Sequence, residues 1–444
     1  MNAEIRPMRT QAELALLAAF ESRRDKLPGA REERAHALKL FEAAGLPHRR
    51  VEEWKYTDLR ALMREAKPIA DKADAAALAE AKDAARFANL DARRIVLVNG
   101  VFEPLLSETT DLEPGLAIVP LAQALLASDP AVVGLGKTVP TNDIVVALNT
   151  AFMTDGAVIA IAPHVRIERP IHIVNVFAGR EAAAVFSRSQ VIVGEGGAAT
   201  IFESYEGPPG LDYQVNTALE LVVGDRARVE HARLGREGES ALHLSTVMAR
   251  MGKEAHLHEF ALTVGGGITR NQLFLQLAGE GTELAVSGAT LLRGRQHVDT
   301  TMVVEHAVGG CESRERFKSV LDERARAVFQ GKIIVRKGAQ KTDAKMTSNA
   351  LLLSEEAEAD NKPELEIFAD DVQCGHGATA GALDEDLLFY LKSRGIPQKE
   401  AEALLIQSFA GEAIEAVQHD GLREALAGVA QRWLEARGGN GNKP

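Results

Sequence analysis

A cysteine and a histidine two residues apart, Cys374 and His376, are the side chains in this sequence best suited to chemistry. In an extended strand that spacing puts both on one face. A thiolate beside an imidazole can hold a soft or borderline metal ion. The same pair can act as a nucleophile and its base. Gly375, Gly377 and Gly381 keep the surroundings small, so a ligand or another backbone can come close. Taken alone, the pair is a weak signal and reads first as a structural thiol beside a surface histidine.

Composition narrows what such a pair can serve. The 444 residues carry a net charge of −12, which argues against nucleic acid as a main partner, since phosphate binding needs a basic surface. No apolar run reaches the ~18 residues of a membrane span. The start, M-N-A-E-I-R-P-M-R-T, has no signal-peptide character. Cys311 and Cys374 are the only cysteines and do not make a disulfide framework. A cytoplasmic protein is expected.

The elements that must position the pair fall into three expected regions: a largely helical segment 1–143, a β core 144–382 and a helical domain 383–444. In the first, residues 31–44 place apolar side chains at helical spacing before Gly45 stops them. Trp54 and Tyr56, in the stretch W-K-Y-T, concentrate aromatics in a chain with 5% of them and read as a docking patch. Residues 70–89 read as an Ala-rich helix or tether, and 94–99 as a strand. G-L-G-K-T at 134–138 resembles the end of a phosphate-binding loop. It lacks the earlier glycine, where Ala131 stands, and Pro140 opposes the helix that must follow.

From about 144 to 312, short Val/Ile/Leu alternations are punctuated by glycine, with no helical periodicity. Segments beginning G-G-A-A-T, G-D-R-A-R and G-K-E-A-H align with Ala199, Ala227 and Ala255 at steps of 28, and a fourth step reaches Glu283. A similar segment, D-E-R-A-R-A-V-F-Q-G, recurs out of phase. Fixed-step strands point to a solenoid, with a β-sandwich still open. If Ala255 and Leu257 face inward, His256 and His258 share a solvated outer face with Arg228 and Glu230. His231, His297 and His306 are read the same way. Cys311 is expected to be a small buried residue. Helices return at 384–394, 399–414 and 422–434, before a disordered tail.

One longer string changes the weight of the cysteine and histidine. D-D-V-Q-C-G-H-G-A-T-A-G, with Q-G-K-I-I-V and N-A-L-L-L-S before it and F-Y-L-K-S-R-G-I after, resembles the SufB/SufD family of iron–sulfur cluster assembly proteins in its SufD form. W-K-Y-T is a further match. The resemblance implies a right-handed parallel β-helix core between N- and C-terminal helical domains. It implies a non-catalytic scaffold subunit that pairs with a SufB-like subunit and docks a SufC-like ABC ATPase through its C-terminal helices. Leu388, Phe389, Tyr390, Arg394 and Phe409 are the residues expected at that dock. Cys374 and His376 are expected at the interface with the SufB-like chain, contributing to a transient iron–sulfur cluster. No cofactor is expected to bind the isolated chain tightly. Physical reasoning agrees: a cluster usually takes four ligands, while this chain has two cysteines 63 positions apart and no C-x-x-C. A homodimer of the isolated chain is a further expectation. Two alternatives are a polysaccharide-acting β-helix enzyme, which needs paired carboxylates, and a protein using Cys374 and His376 alone for metal storage or nucleophilic attack.

Overall fold

The computed structural model describes residues 9–439, apart from 83, 85, 86, 88, 89 and 140. Pro140, part of the segment ending at 89, and the tail from 440 lie outside the described residues.

Alternating apolar and polar residues give, from residue 184 onward, strands of eight to ten residues, each followed by a short turn and a strand in the opposite wall. The result is a parallel β-solenoid of about eight turns. Its two walls are a ten-stranded and a nine-stranded sheet. One residue type stacks on its like from turn to turn. Leu219, Leu221 and Val223 sit in register with Val247, Ala249 and Met251, which sit in register with Leu273, Leu275 and Leu277. These apolar columns line the interior and form the main core.

The expected repeat is present but uneven. Arg228 pairs with His256, so the 28-residue step between Ala227 and Ala255 holds. Ala198 pairs with Arg228, a step of 30, so Ala199 aligns with Val229 and not with Ala227. His256 pairs with Glu283, a step of 27, so Glu283 is not the equivalent of Ala255. Turns of different length absorb the difference without disturbing the ladder. The out-of-phase segment D-E-R-A-R-A-V-F-Q-G belongs to the other wall, in strand Arg326–Val335. Parallel pairing throughout the core excludes the β-sandwich.

The sheets begin before residue 144. Strand Arg93–Val98 pairs in parallel with Ile171–Val176, and Leu116–Pro120 closes the other wall antiparallel to Ala157–Ile161. A helix, Ile144–Phe152, also interrupts the stretch expected to be free of helix; Asp143 caps it through the Val145 and Val146 N–H groups.

Helices at both chain ends pack on the outside of the solenoid. Trp54 is buried, with the Arg270 guanidinium 3.8 Å from its ring centre. Thr57 Oγ1 donates to Asp299 at 2.5 Å, and Arg270 bonds both Asp299 and the Glu53 carbonyl. The aromatic stretch is therefore a docking patch, as its composition suggests. At the other end, Ile406, Ala410, Ile414, Leu422 and Leu426 pack on Phe260, Leu262 and Leu291 of the ten-stranded sheet.

Candidate functional site

Strand Gln373–Gly381 is the last of the ten-stranded sheet, and Glu358–Ile367 is the last of the nine-stranded one. Together they form the open end of the solenoid. Cys374 pairs with Ala344 and His376 with Met346. Ala344 and Met346 belong to the interior core, so Cys374 and His376 sit on the inner face, at its outermost rung. Cys374 is half-buried and packs against that core, while His376 is exposed. Burial pushes the Cys374 thiol up, and the nearby carboxylates Asp343 and Glu315 push it the same way. An unoccupied site thus favours the thiol; a bound cation would favour the thiolate.

Nothing among the described residues covers this end. A Cβ placed on Gly375, Gly377 or Gly381 meets no atom within 4 Å. Ile367 and Phe368, beside it, are 40% and 57% exposed. The last strands leave one row of backbone groups each without a neighbouring strand. Among the described residues no group of three or more His, Cys, Asp and Glu side chains is placed to hold a metal ion.

The other expected site residues divide. Helix Glu385–Ser393 has no buried residue, and its Leu387, Phe389 and Tyr390 are 52%, 73% and 53% exposed. Leu388 is partly covered, and Arg394 lies over the Tyr390 ring at 5.1 Å. Phe409 is different. It packs with the core joining the helices to the sheet, beneath the Lys318 ammonium at 4.3 Å, and Lys318 also bonds Glu412. It is partly buried, so part of its ring already helps to pack the helical domain on the solenoid.

His256 and His258 do face outward beside Arg228 and Glu230, where His258 meets Gln418. His231 and His306 do not belong to a solvated face: both are fully buried. Their strands turn these positions inward. His231 lies between Glu259 at 2.5 Å and Glu203 at 3.2 Å. Despite strong desolvation, the two carboxylates raise it to about 9. His306 has no such partner and burial lowers it to about 4. His297 is partly buried against Thr57 at the aromatic dock. Cys311 is buried, as expected. The G-L-G-K-T loop spends its donors internally: Gly136 N–H and Thr138 Oγ1 both bond the Glu220 carboxylate, which also pairs with the buried Arg188.

Fold and site define a β-solenoid with two donor side chains at an uncovered end and an exposed helical appendage. The family model described as "SUF system FeS cluster assembly, SufBD core domain" matches residues 175–409, and "SufBD protein N-terminal region" matches 21–173. The chain belongs to the SufBD family of iron–sulfur cluster assembly proteins. It is 31% identical to the iron–sulfur cluster assembly protein SufD of Escherichia coli over 89% of this chain and 91% of that protein. It is 33% identical to a SufBD family protein of Synechocystis over 86% of each chain. SufD of Bacillus subtilis is 28% identical over 65% of this chain and 66% of its own. The SufD character expected from the sequence is thus matched. No helix among the described residues is long and apolar enough to cross a membrane.

Proposed function

We propose that this protein is the non-catalytic SufD-type scaffold subunit of an assembly complex. Its open solenoid end pairs with a SufB-like subunit, and Cys374 and His376 lend donors to a cluster built at that interface. The cluster is cargo, completed by ligands of the partner and released when the two halves part. The exposed helix Glu385–Ser393 docks a SufC-like ABC ATPase, which supplies the hydrolysis. Without partners, the same uncovered edges favour a homodimer.

The observation that carries this reading is the join of two features at one place. The end of the solenoid formed by the last two strands is left uncovered by the described residues, and it bears the thiol and the imidazole. Two donors in one chain are too few for a cluster, and an open edge admits a second chain. Family membership does not favour the polysaccharide-acting alternative.

The test is co-expression with SufB-like and SufC-like partners, with His376 intact or changed to Ala. A complex that forms in both cases but loses its iron–sulfur content in His376→Ala supports a donor role. Unchanged content removes His376 from the site, and failure of any complex to form removes the scaffold reading.

A further inference from the structure

Below Cys374 and His376 the solenoid holds a carboxylate that nothing in the fold uses. Glu315 lies in strand Glu312–Leu321, two strands in from the open edge. The register runs Glu315, Met346, His376 in one inner column and Ser313, Ala344, Cys374 in the next. Glu315 therefore points into the interior, between the apolar core and the open end. It is 2% exposed, and neither carboxylate oxygen has a hydrogen-bond partner. The neighbouring Ser313 hydroxyl, engaged by His306 Nε2 at 3.0 Å, lowers the Glu315 carboxyl only in part against its burial. Arg314 points to the outer face, where it pairs with Asp343 at 2.7 Å.

Among the surrounding ionisable groups only the Arg314 guanidinium, turned to the outer face, acts on Glu315 as a counter-charge, and it does not offset the burial. Glu259, two strands further in on the same column, is bound to His231. His306, facing from the other wall, is neutral at pH 7 because burial lowers it to about 4. Cys374, above, is a thiol raised by burial. Burial pushes the Glu315 carboxyl up to about 7. An unpartnered buried carboxylate is costly to a fold, so one aimed at a site with two metal-binding donors calls for a use.

We propose that Glu315 is the buried counter-charge of the open-end site: it strengthens the hold of Cys374 and His376 on a cation without touching it. The inference rests on the reading of those two residues as donors. Two strand spacings separate the columns' members by ~10 Å. Binding a divalent cation with loss of the Cys374 thiol proton adds one net positive charge, and a unit charge at that distance, in a medium of effective dielectric about 20, changes the affinity roughly tenfold. Glu315 is thus a positioning charge, and the cation is a thiophilic divalent metal.

The test uses the full chain and Co2+, whose absorption reports thiolate ligation, at pH 6 and pH 8. Glu315→Gln keeps the shape and removes the charge; a Cys374→Ala, His376→Ala double variant removes the donors. The native chain is expected to bind Co2+ and the double variant to lose it. Glu315→Gln is expected to bind roughly tenfold more weakly at pH 8. At pH 6, where the native carboxyl is protonated, the two are expected to bind alike. Its thermal unfolding midpoint should equal or exceed the native one, because a desolvated charge has gone. Equal affinity of native and Glu315→Gln at pH 8 overturns the counter-charge while leaving the donors standing. An equal loss at both pH values with a lowered midpoint marks a structural role and also overturns it. Binding retained by the double variant overturns the donor reading and the counter-charge with it, and binding absent from the native chain overturns the counter-charge.

Discussion

At the scale of single residues, the interior of the solenoid is chemically mixed. The Glu203–His231–Glu259 arrangement places a cation between two carboxylates with no solvent access. Breaking a buried pair of this kind costs roughly 3–5 kcal/mol, since the remaining charges are stranded. His231→Gln is therefore expected to lower stability by about that amount at pH 7, measured by denaturant unfolding. The pH dependence has a definite sign. The folded protein holds the His231 proton more tightly than the unfolded chain does, up to about 9 against the ordinary 6.5. This stabilisation is complete below about pH 6.5 and is lost as pH rises through about 9. The native unfolding midpoint should fall across that window, and the His231→Gln midpoint should change less. A loss in the variant below ~1 kcal/mol would show that the three groups are not paired.

At the scale of elements, the three C-terminal helices have unlike jobs although their sequences look alike. Gln398–Ile414 and Asp420–Gly439 bury an apolar face on the sheet, whereas Glu385–Ser393 buries none. Phe389→Ala removes an exposed ring, so the stability of the isolated chain should change by no more than about 0.5 kcal/mol. Capture of a SufC-like ATPase should weaken strongly, because exposed aromatics are the anchors of such interfaces. Phe409→Ala should do the reverse in the isolated chain, costing about 3 kcal/mol through lost packing and the Lys318 contact. Paired unfolding and pull-down measurements separate the two. Equal destabilisation by both substitutions would contradict the division of labour.

At the scale of the whole molecule, the described N- and C-terminal helices are fastened to the outside of the solenoid and leave its last turn open. Gly377→Val tests what that opening is for. A Cβ there meets nothing in this chain, and valine suits a strand. The isolated protein should keep its unfolding midpoint, while pairing with a SufB-like chain should be lost or weakened at least tenfold, read by analytical gel filtration. Full pairing by the variant would move the interface elsewhere.

How far the sequence reaches depends on the range of the interactions involved. Alternation and glycine spacing are local, and they disclose strands, a repeat and the C-terminal helices. The joint face of Cys374 and His376 follows from a spacing of two along one strand. The family string around them supplies the rest. What escapes a reading along the chain is set by register. Turns of differing length shift Ala199 out of the 28-residue step, whereas His231 and His306 face inward because they share the alternation of Val229 and Val304 on their own strands. One visible signal existed for Glu315: in E-S-R-E-R-F it shares the parity of Ser313 and Phe317, a charge in an inward slot. The sequence by itself determined the solenoid, its donors and its kinship. Only the tertiary structure decided that those donors sit on the outermost rung, that Phe409 is already occupied while Phe389 is free, and that Glu315 lies beneath the site. Strand alternation is a property of neighbours in sequence; which rung lies above which is fixed by hydrogen bonds between residues some thirty positions apart.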